Sequence, residues 1–264
     1  MAELHRFFVP ADSMGGDVVA IVGEPLHHLR TVLRLGPGTE LLLLDGQGGC
    51  CRARLDTVGR EQARATVVAR WTVAEHPCPL RLLQALPKGD KFDLVLQKGT
   101  ELGITTFQPV LSGRSILRQE TGRSMRWQRI VREAARQSRR PRLPTLEPLR
   151  SLHEALTLVD EPLRLVLWEE SARPLQEVLP PQAPTGVALL VGPEGGLAAD
   201  EVATVRASGF LPVHLGPRIL RTETAGLAVA AVLQFRYGDW SHAPHHDHAQ
   251  PAAAAPLSSP FSSG

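Results

Sequence analysis

The chain has 264 residues, of which 43% are apolar and 21% charged, a balance that excludes wholesale disorder and can bury one large or two modest cores without disulfide staples. Its longest apolar runs, such as residues 225–233, fall well short of the roughly 18 residues that span a bilayer, so no membrane helix is expected. An acid among the first residues, no apolar leader, and only Cys50, Cys51 and Cys78, which lack metal-ligand spacing, read as a reduced cytoplasmic protein without a metal.

From residue 4 to about 73 the pattern is strand-rich. A helical segment at 25–33 is followed by β-prone runs at 39–44, 50–55 and 63–71. The first two are divided by Asp45-Gly46-Gln47-Gly48-Gly49, a hairpin signal, and together they predict a small β-barrel. Residues 74–79, with Pro77 and Pro79, read as a linker and place a domain boundary at 74/75.

Beyond the linker, short apolar runs alternate with amphipathic helices. Strands are expected at 80–86, 105–111, 163–168, 186–191 and 211–215, and helices at 90–102, 124–138, 151–158, 198–208 and 222–236. Repeated βα units with fully apolar strands predict an α/β domain over 75–240, its parallel sheet covered on both faces. Asp90 is a candidate N-cap and Gly103 the C′ residue of the first helix, while Asp200 and Glu201 complement the N-terminus of the fourth. The last helix is apolar all round from Ala225 to Leu233, which predicts burial on every side, as a subunit interface, a threaded element or an internal helix. Residues 241–264 hold four of the ten histidines among Ala, Pro and Ser and predict a disordered tail.

The net charge of +2 hides an uneven distribution. Between Arg114 and Arg150 eleven arginines face three glutamates. In the helix at 124–138, Trp127, Ile130, Val131, Ala134 and Ala135 form an apolar stripe with Trp127 as a core anchor, and Arg126, Arg129, Arg132 and Arg136 project elsewhere. Clustered guanidiniums bind phosphate and point to nucleic acid. The competing reading is a solvated face in a chain with 26 Arg and 3 Lys.

Two strand-to-helix turns carry the strongest chemical signal. One is Leu190-Val-Gly-Pro-Glu-Gly-Gly-Leu197, the other Leu215-Gly-Pro-Arg-Ile-Leu-Arg-Thr-Glu-Thr-Ala225. In an open parallel sheet, ligands lie beyond the carboxyl ends of the strands, where glycines let backbone groups approach closely. No Gly-Lys-[Ser/Thr] and no Gly-x-Gly-x-x-Gly is present, which weighs against a nucleotide-binding hydrolase. The glycines are also compatible with plain tight turns.

Together with Lys88-Gly-Asp-Lys91, Gln97-Lys-Gly-Thr-Glu-Leu-Gly103, Glu133-Ala-Ala-Arg-Gln-Ser138 and the opening His5-Arg-Phe-Phe-Val9, those turns resemble the RsmE family of 16S ribosomal RNA (uracil-N3)-methyltransferases of the SPOUT class, over about residues 4 to 240. The resemblance implies a PUA-like RNA-binding barrel at 1–74, a SPOUT domain with a trefoil knot at 75–240, S-adenosylmethionine as methyl donor, 16S ribosomal RNA or the small ribosomal subunit as partner, and a homodimer. It places the donor against Leu167, Trp168, Leu190, Val191, Gly192, Pro193, Glu194, Gly195, Gly196, Leu215, Gly216, Ile219, Leu220, Thr224 and Ala225. Arg221, Glu194 and Glu223 become the candidate catalytic residues. Arg6, Arg30, Arg34, Arg114, Arg129, Arg132 and Arg136 become the candidate RNA contacts. The tail beyond Trp240 is outside the family pattern. The alternative is a non-catalytic RNA-binding or ribosome-assembly protein with a degenerate pocket.

Overall fold

The computed structural model describes residues 4–74, 78–114, 123–170 and 173–240. The predicted tail lies outside the described residues, as do residues 75–77 of the linker. The chain divides into two compact units that part between Ala74 and Glu75.

In the first unit, β1 (His5–Phe8), β2 (Val18–Ile21), β3 (Glu40–Leu44), β4 (Gly49–Val58) and β5 (Ala63–Thr72) form one sheet in the order β1-β3-β4-β5-β2. β1 runs parallel to β3 and the other neighbours are antiparallel. The Asp45 carboxylate explains the β3–β4 hairpin, since it accepts the amides of Gln47 (2.6 Å) and Gly49 (2.8 Å). Helix α1 (Gly23–His27) passes into a π-helical turn over His28–Val32, and its Leu26 and Leu29 close a core with Phe7, Ile21, Leu41 and Leu55.

The second unit is built on a seven-stranded sheet, with β6 (Leu80–Ala85), β7 (Thr106–Leu111), the two-residue strands β8 (Thr145–Leu146) and β9 (Arg150–Ser151), β10 (Leu163–Leu167), β11 (Val187–Val191) and β12 (Leu211–Val213). The order is β12-β10-β11-β6-β7-β8, β9 also pairs with β7, and every pairing is parallel. β11, late in the chain, therefore lies between β6 and β10 at the centre. Its five residues are all buried, as a strand covered on both faces requires.

Strand alternation divides the core. Leu82, Phe107, Leu165, Leu189 and Val191 face one side, where α2 (Lys91–Glu101), α3 (Arg123–Gln137) and α7 (Thr222–Tyr237) contribute Phe92, Val131 and Val229. Leu83, Val110, Val166, Ala188 and Leu190 face the other, against α4 (Leu152–Thr157) and α6 (Ala199–Ala207). The short α5 (Leu175–Val178) and the two-residue strands have no counterpart in the sequence reading, because elements of that length show no period.

Two expectations are corrected. Asp90 stands at the N-cap of α2 without a capping hydrogen bond; its carboxylate lies 3.4 Å from Arg126 instead. Within the single chain, helix α7 is not buried on every side, which, of the readings offered, leaves that of a subunit interface open. Ala225, Val229, Ala230 and Leu233 enter the core, but Val232 is 43% and Phe235 78% exposed. An apolar stretch of small residues satisfies the sheet with one face and leaves the other uncovered. Trp127 is a core residue as expected, edge-on to Phe92 at 4.8 Å between centroids. Among the described residues no helix is long and apolar enough to cross a membrane.

Close packing of α2 on the sheet depends on Gly99. A β-carbon there would meet Phe107 Cε1 at 2.7 Å and Ile104 Cδ1 at 2.8 Å, both on fully buried side chains. Helix propensity favours alanine over glycine by about 1 kcal/mol, whereas overpacking a filled core costs about 1–3 kcal/mol. Gly99→Ala is therefore expected to lower the melting temperature by several degrees in a calorimetric scan. A higher melting temperature would show that the two side chains yield and propensity prevails.

Candidate functional site

The parallel register aligns the strand ends on which the predicted site depends. Val191 stands opposite Leu167 of β10 and Gln84 of β6, and Leu167 stands opposite Val213 of β12. The turns that follow β10, β11 and β12 thus emerge side by side at the carboxyl edge of the sheet. Trp168 is held there by its amide, which donates to the Val213 carbonyl at 3.0 Å.

The loop after β11 is tied back on itself by the Gly196 amide, which donates to Pro193 O at 2.9 Å. Gly196 has φ +67° and Gly216, in the loop after β12, φ +95°, where side chains are strained, and a β-carbon on either would meet no atom within 4 Å. These two glycines fill no packing gap; they set the turns and leave open space beside the backbone. Gly192 differs, since its β-carbon would press on Leu197 Cγ at 3.2 Å. Leu190, Val191 and Ala225 are core side chains, so only their backbone is available to a ligand. Ile219 is 81% exposed at the outer turn, and Leu215 and Leu220 pack partly against the core.

The start of α7 is fixed to these loops by a buried polar chain. Gln84 Nε2 donates to Thr222 Oγ1 at 2.9 Å, and that hydroxyl donates to the Gly192 carbonyl. Arg221, the N-cap residue, leaves its guanidinium exposed, with Nη1 3.9 Å from Glu223 Oε1. Glu223 is only 8% exposed, and its Oε2 is buried without a hydrogen-bond partner among the described residues.

Lys91 stands between two carboxylates. Its ammonium is 2.9 Å from Glu194 Oε1 and 3.6 Å from Glu223 Oε2. The Lys88 amide also donates to Glu194 Oε1, at 3.0 Å. Burial alone would raise the Glu194 carboxyl, but hydrogen bonds from Lys91 and from backbone amides outweigh it and hold the group below its ordinary value. The same hydrogen bond pushes the Lys91 ammonium up. Lys88 also lines a neighbouring cleft of about 370 Å³ with Pro87, Asp90, Arg123, Arg126 and Trp127.

The arginines predicted to meet RNA separate into groups. Arg129 and Arg132 project from α3 into solvent, with no partner among the described residues. Arg126 pairs with Asp93 and Asp90, and Arg136 with Glu133 at 2.6 Å. Arg114 donates to the Gly195 carbonyl and so belongs to the glycine loop. Arg6 is a correction: it is 6% exposed and displays no guanidinium for phosphate. Arg30 is exposed, bound to the Arg60 carbonyl at 2.9 Å, and Arg34 is exposed with φ +54°.

The sequence reading assigned no role to Gln84, Lys88, Lys91 or Thr222. A signal existed for Lys91: a chain that writes 26 cations as arginine has Lys at 88, 91 and 98 only, and the Lys91 ammonium meets Glu194. Gln84 was masked by its place in an apolar strand.

Comparison with known proteins places the chain among RNA-modifying enzymes. A family model described as an RNA methyltransferase domain matches residues 74–234, and one described as an RNA methyltransferase PUA domain matches residues 23–68. Ribosomal RNA small subunit methyltransferase E of Mycobacterium tuberculosis is 36% identical over 236 residues, covering 86% of this chain and 90% of that protein. The crystal structure of a ribosomal RNA small subunit methyltransferase E from Neisseria gonorrhoeae bound to S-adenosyl methionine has a TM-score of 0.83 at 36% identity, covering 90% of this chain and 100% of that one. A Legionella pneumophila methyltransferase in complex with its bound cofactor SAM has a TM-score of 0.82 at 30% identity, with coverage of 90% and 100%.

The Glu194 cluster gives a pH prediction with a definite sign. Because the folded carboxyl lies below its ordinary value of about 4.5, its stabilising contribution is complete above that value and is lost as pH falls through the lower folded one. In an NMR titration of labelled glutamate, the Glu194 midpoint should lie below 4.5 and rise in Lys91→Met. A midpoint that Lys91→Met leaves in place would show that the amides alone hold it down.

Proposed function

We propose, for a chain that belongs to the ribosomal RNA small subunit methyltransferase E family, that it transfers a methyl group from S-adenosylmethionine to N3 of one uridine of 16S ribosomal RNA in the cytoplasmic small ribosomal subunit. The observation that carries this reading is the convergence of the glycine loops after β11 and β12 beside Lys91, Glu194, Arg221 and Glu223.

The cradle fits the donor. Open space beside Gly196 and Gly216 lets backbone amides and carbonyls reach a bound molecule, and Trp168, Leu215, Ile219 and Leu220 supply apolar surface for an adenosine. Val191 to Gly196, Leu215 to Leu220 and the turn at Leu167 and Trp168 would hold it, with Thr224 and Ala225 behind. When bound, S-adenosylmethionine supplies a methyl group on a positively charged sulfur.

This chain's residues then have two tasks, to orient the uracil ring and to handle the N3 proton. Arg221 presents a planar, permanently charged fork at the mouth, suited to a uracil oxygen and to the charge that grows on it as N3 loses its proton. Glu194 and Glu223 are the two carboxylates at hand for the proton. Arg129 and Arg132 on α3, with Arg30 and Arg34 in the PUA-like unit, supply phosphate contacts. We assign residues 1–74 to RNA binding and 75–240 to a SPOUT domain with its trefoil knot, a reading supported by the insertion of β11 between β6 and β10. A homodimer is supported by the uncovered face of α7.

Small ribosomal subunits from a strain lacking this enzyme, incubated with the protein and donor, should gain N3-methyluridine at one position by mass spectrometry. Arg221→Lys should retain donor affinity by calorimetry and lose about a hundredfold in rate, whereas Gly196→Val should lose donor binding with the fold retained. No methylated uridine with the parent protein would refute the reading.

Sedimentation tests the assembly. The parent should be a dimer at micromolar concentration, and Ala228→Glu, which sets a charge beside the exposed face of α7, should be monomeric or aggregated. A monomeric parent would refute the dimer.

A further inference from the structure

We infer that Lys91 sorts the two carboxylates at the mouth of the site, committing Glu194 to a structural ion pair and leaving Glu223 to accept the N3 proton of the target uridine. The inference rests on the methyl-transfer reading above and assigns the proton step within it.

The two carboxylates sit in opposite circumstances. Glu194 Oε1 receives the Lys91 ammonium at 2.9 Å and the Lys88 amide at 3.0 Å. A carboxylate whose charge is already satisfied by such donors is a poor proton acceptor. Glu223 is buried and its Oε2 has no hydrogen-bond donor among the described residues, because Lys91 at 3.6 Å lies beyond hydrogen-bond reach and is turned to Glu194. The Glu223 carboxylate therefore keeps lone pairs that no donor among the described residues occupies. The position is also rigid. Glu223 is the second residue of α7, and its neighbour Thr222 is pinned by Gln84 and Gly192. Arg221, two residues before it, shares the mouth and reaches toward the other oxygen of the same carboxylate.

The chemistry balances with these groups alone and the donor. The N3–H bond breaks toward Glu223 Oε1, the carboxylate oxygen on the Arg221 side, and its electron pair stays on nitrogen. That pair forms the bond to the methyl carbon while the pair of the carbon–sulfur bond remains on sulfur. The proton then passes from Glu223 to water once the product leaves. Lys91 is a positioning residue in this scheme, and Glu223 touches the reacting atom.

The test uses the full-length protein, S-adenosylmethionine and small ribosomal subunits from the strain lacking the enzyme, in single-turnover reactions. Glu223→Gln, nearly isosteric, should keep its melting temperature and bind the donor within about threefold of the parent, yet react about a hundredfold more slowly or worse. Glu194→Gln, whose carboxylate is held by Lys91 and the Lys88 amide, should slow the reaction at saturating donor less than Glu223→Gln does. The charged groups facing Glu223 are Lys91 from α2 and Arg221 at the cap of α7, with Glu194 behind Lys91. Lys91→Met should raise the titration midpoint of Glu194 and lower the rate at saturating donor while donor affinity stays near the parental value. A Glu223→Gln protein that reacts at the parental rate, or that fails to bind the donor, overturns the inference. A Lys91→Met protein that reacts at the parental rate overturns the sorting role of the lysine, which is measured with Glu223 intact and so does not depend on the folding of the first variant. Absence of methylation by the parent protein would instead refute the function itself.

Discussion

The hydroxyl of Thr222 is the small part on which the rest of the site depends. It accepts from Gln84 in β6 and donates to the carbonyl of Gly192 in the loop after β11, and it opens α7. Three segments far apart in sequence are joined by one buried atom, in surroundings where an unmade hydrogen bond costs more than a made one gains. Fixing Gly192 sets the direction of the glycine loop. Fixing the first turn of α7 sets where Arg221 and Glu223 can stand. The sheet register supplies the coarse alignment, and the hydroxyl converts it into a fixed relation between a loop and a helix.

Charge is distributed with the same economy. The arginines of α3 divide between helix-stabilising pairs, as in Arg136 with Glu133, and solvent-facing residues, as in Arg129 and Arg132. At the site the cation between the carboxylates is a lysine. A guanidinium would bind a carboxylate bidentately and fill both oxygens, whereas an ammonium on a flexible stem can favour one carboxylate while standing 3.6 Å from the other. The departure from the arginine habit of the chain is thus a chemical choice at residue 91.

Much of the fold was legible because the elements that matter are long enough to carry a period. Helix α3 was expected at 124–138 and spans Arg123–Gln137; the strand expected at 186–191 spans Val187–Val191. The candidate loops were legible for a different reason, since glycine in Val-Gly-Pro-Glu-Gly-Gly advertises backbone geometry directly. What stayed hidden was pairwise. Gln84 reads as one polar letter in an apolar strand until α7 brings Thr222 to it across 138 positions. Arg6 reads as a surface cation until β1 pairs with β3 and buries it. The exposed face of α7 was hidden because its composition is apolar on both sides, and composition cannot say which side meets the sheet.

That ambiguity of α7 follows from what the helix must do. Its inner face has to lie close on β6 and β11, which is why Gly226 stands where a β-carbon would meet Leu82 at 3.2 Å and Val191 at 3.3 Å. Its first turn has to carry Glu223 and Arg221 to the mouth. Its outer face, with Val232 and Phe235, is too apolar to be left to water at no cost. A second copy of the chain, as proposed above, would cover that face and add rigidity to the same helix whose first turn carries Arg221 and Glu223. Association and the proposed chemistry would then share one element, because the outer face and the Thr222 anchor belong to a single sixteen-residue helix.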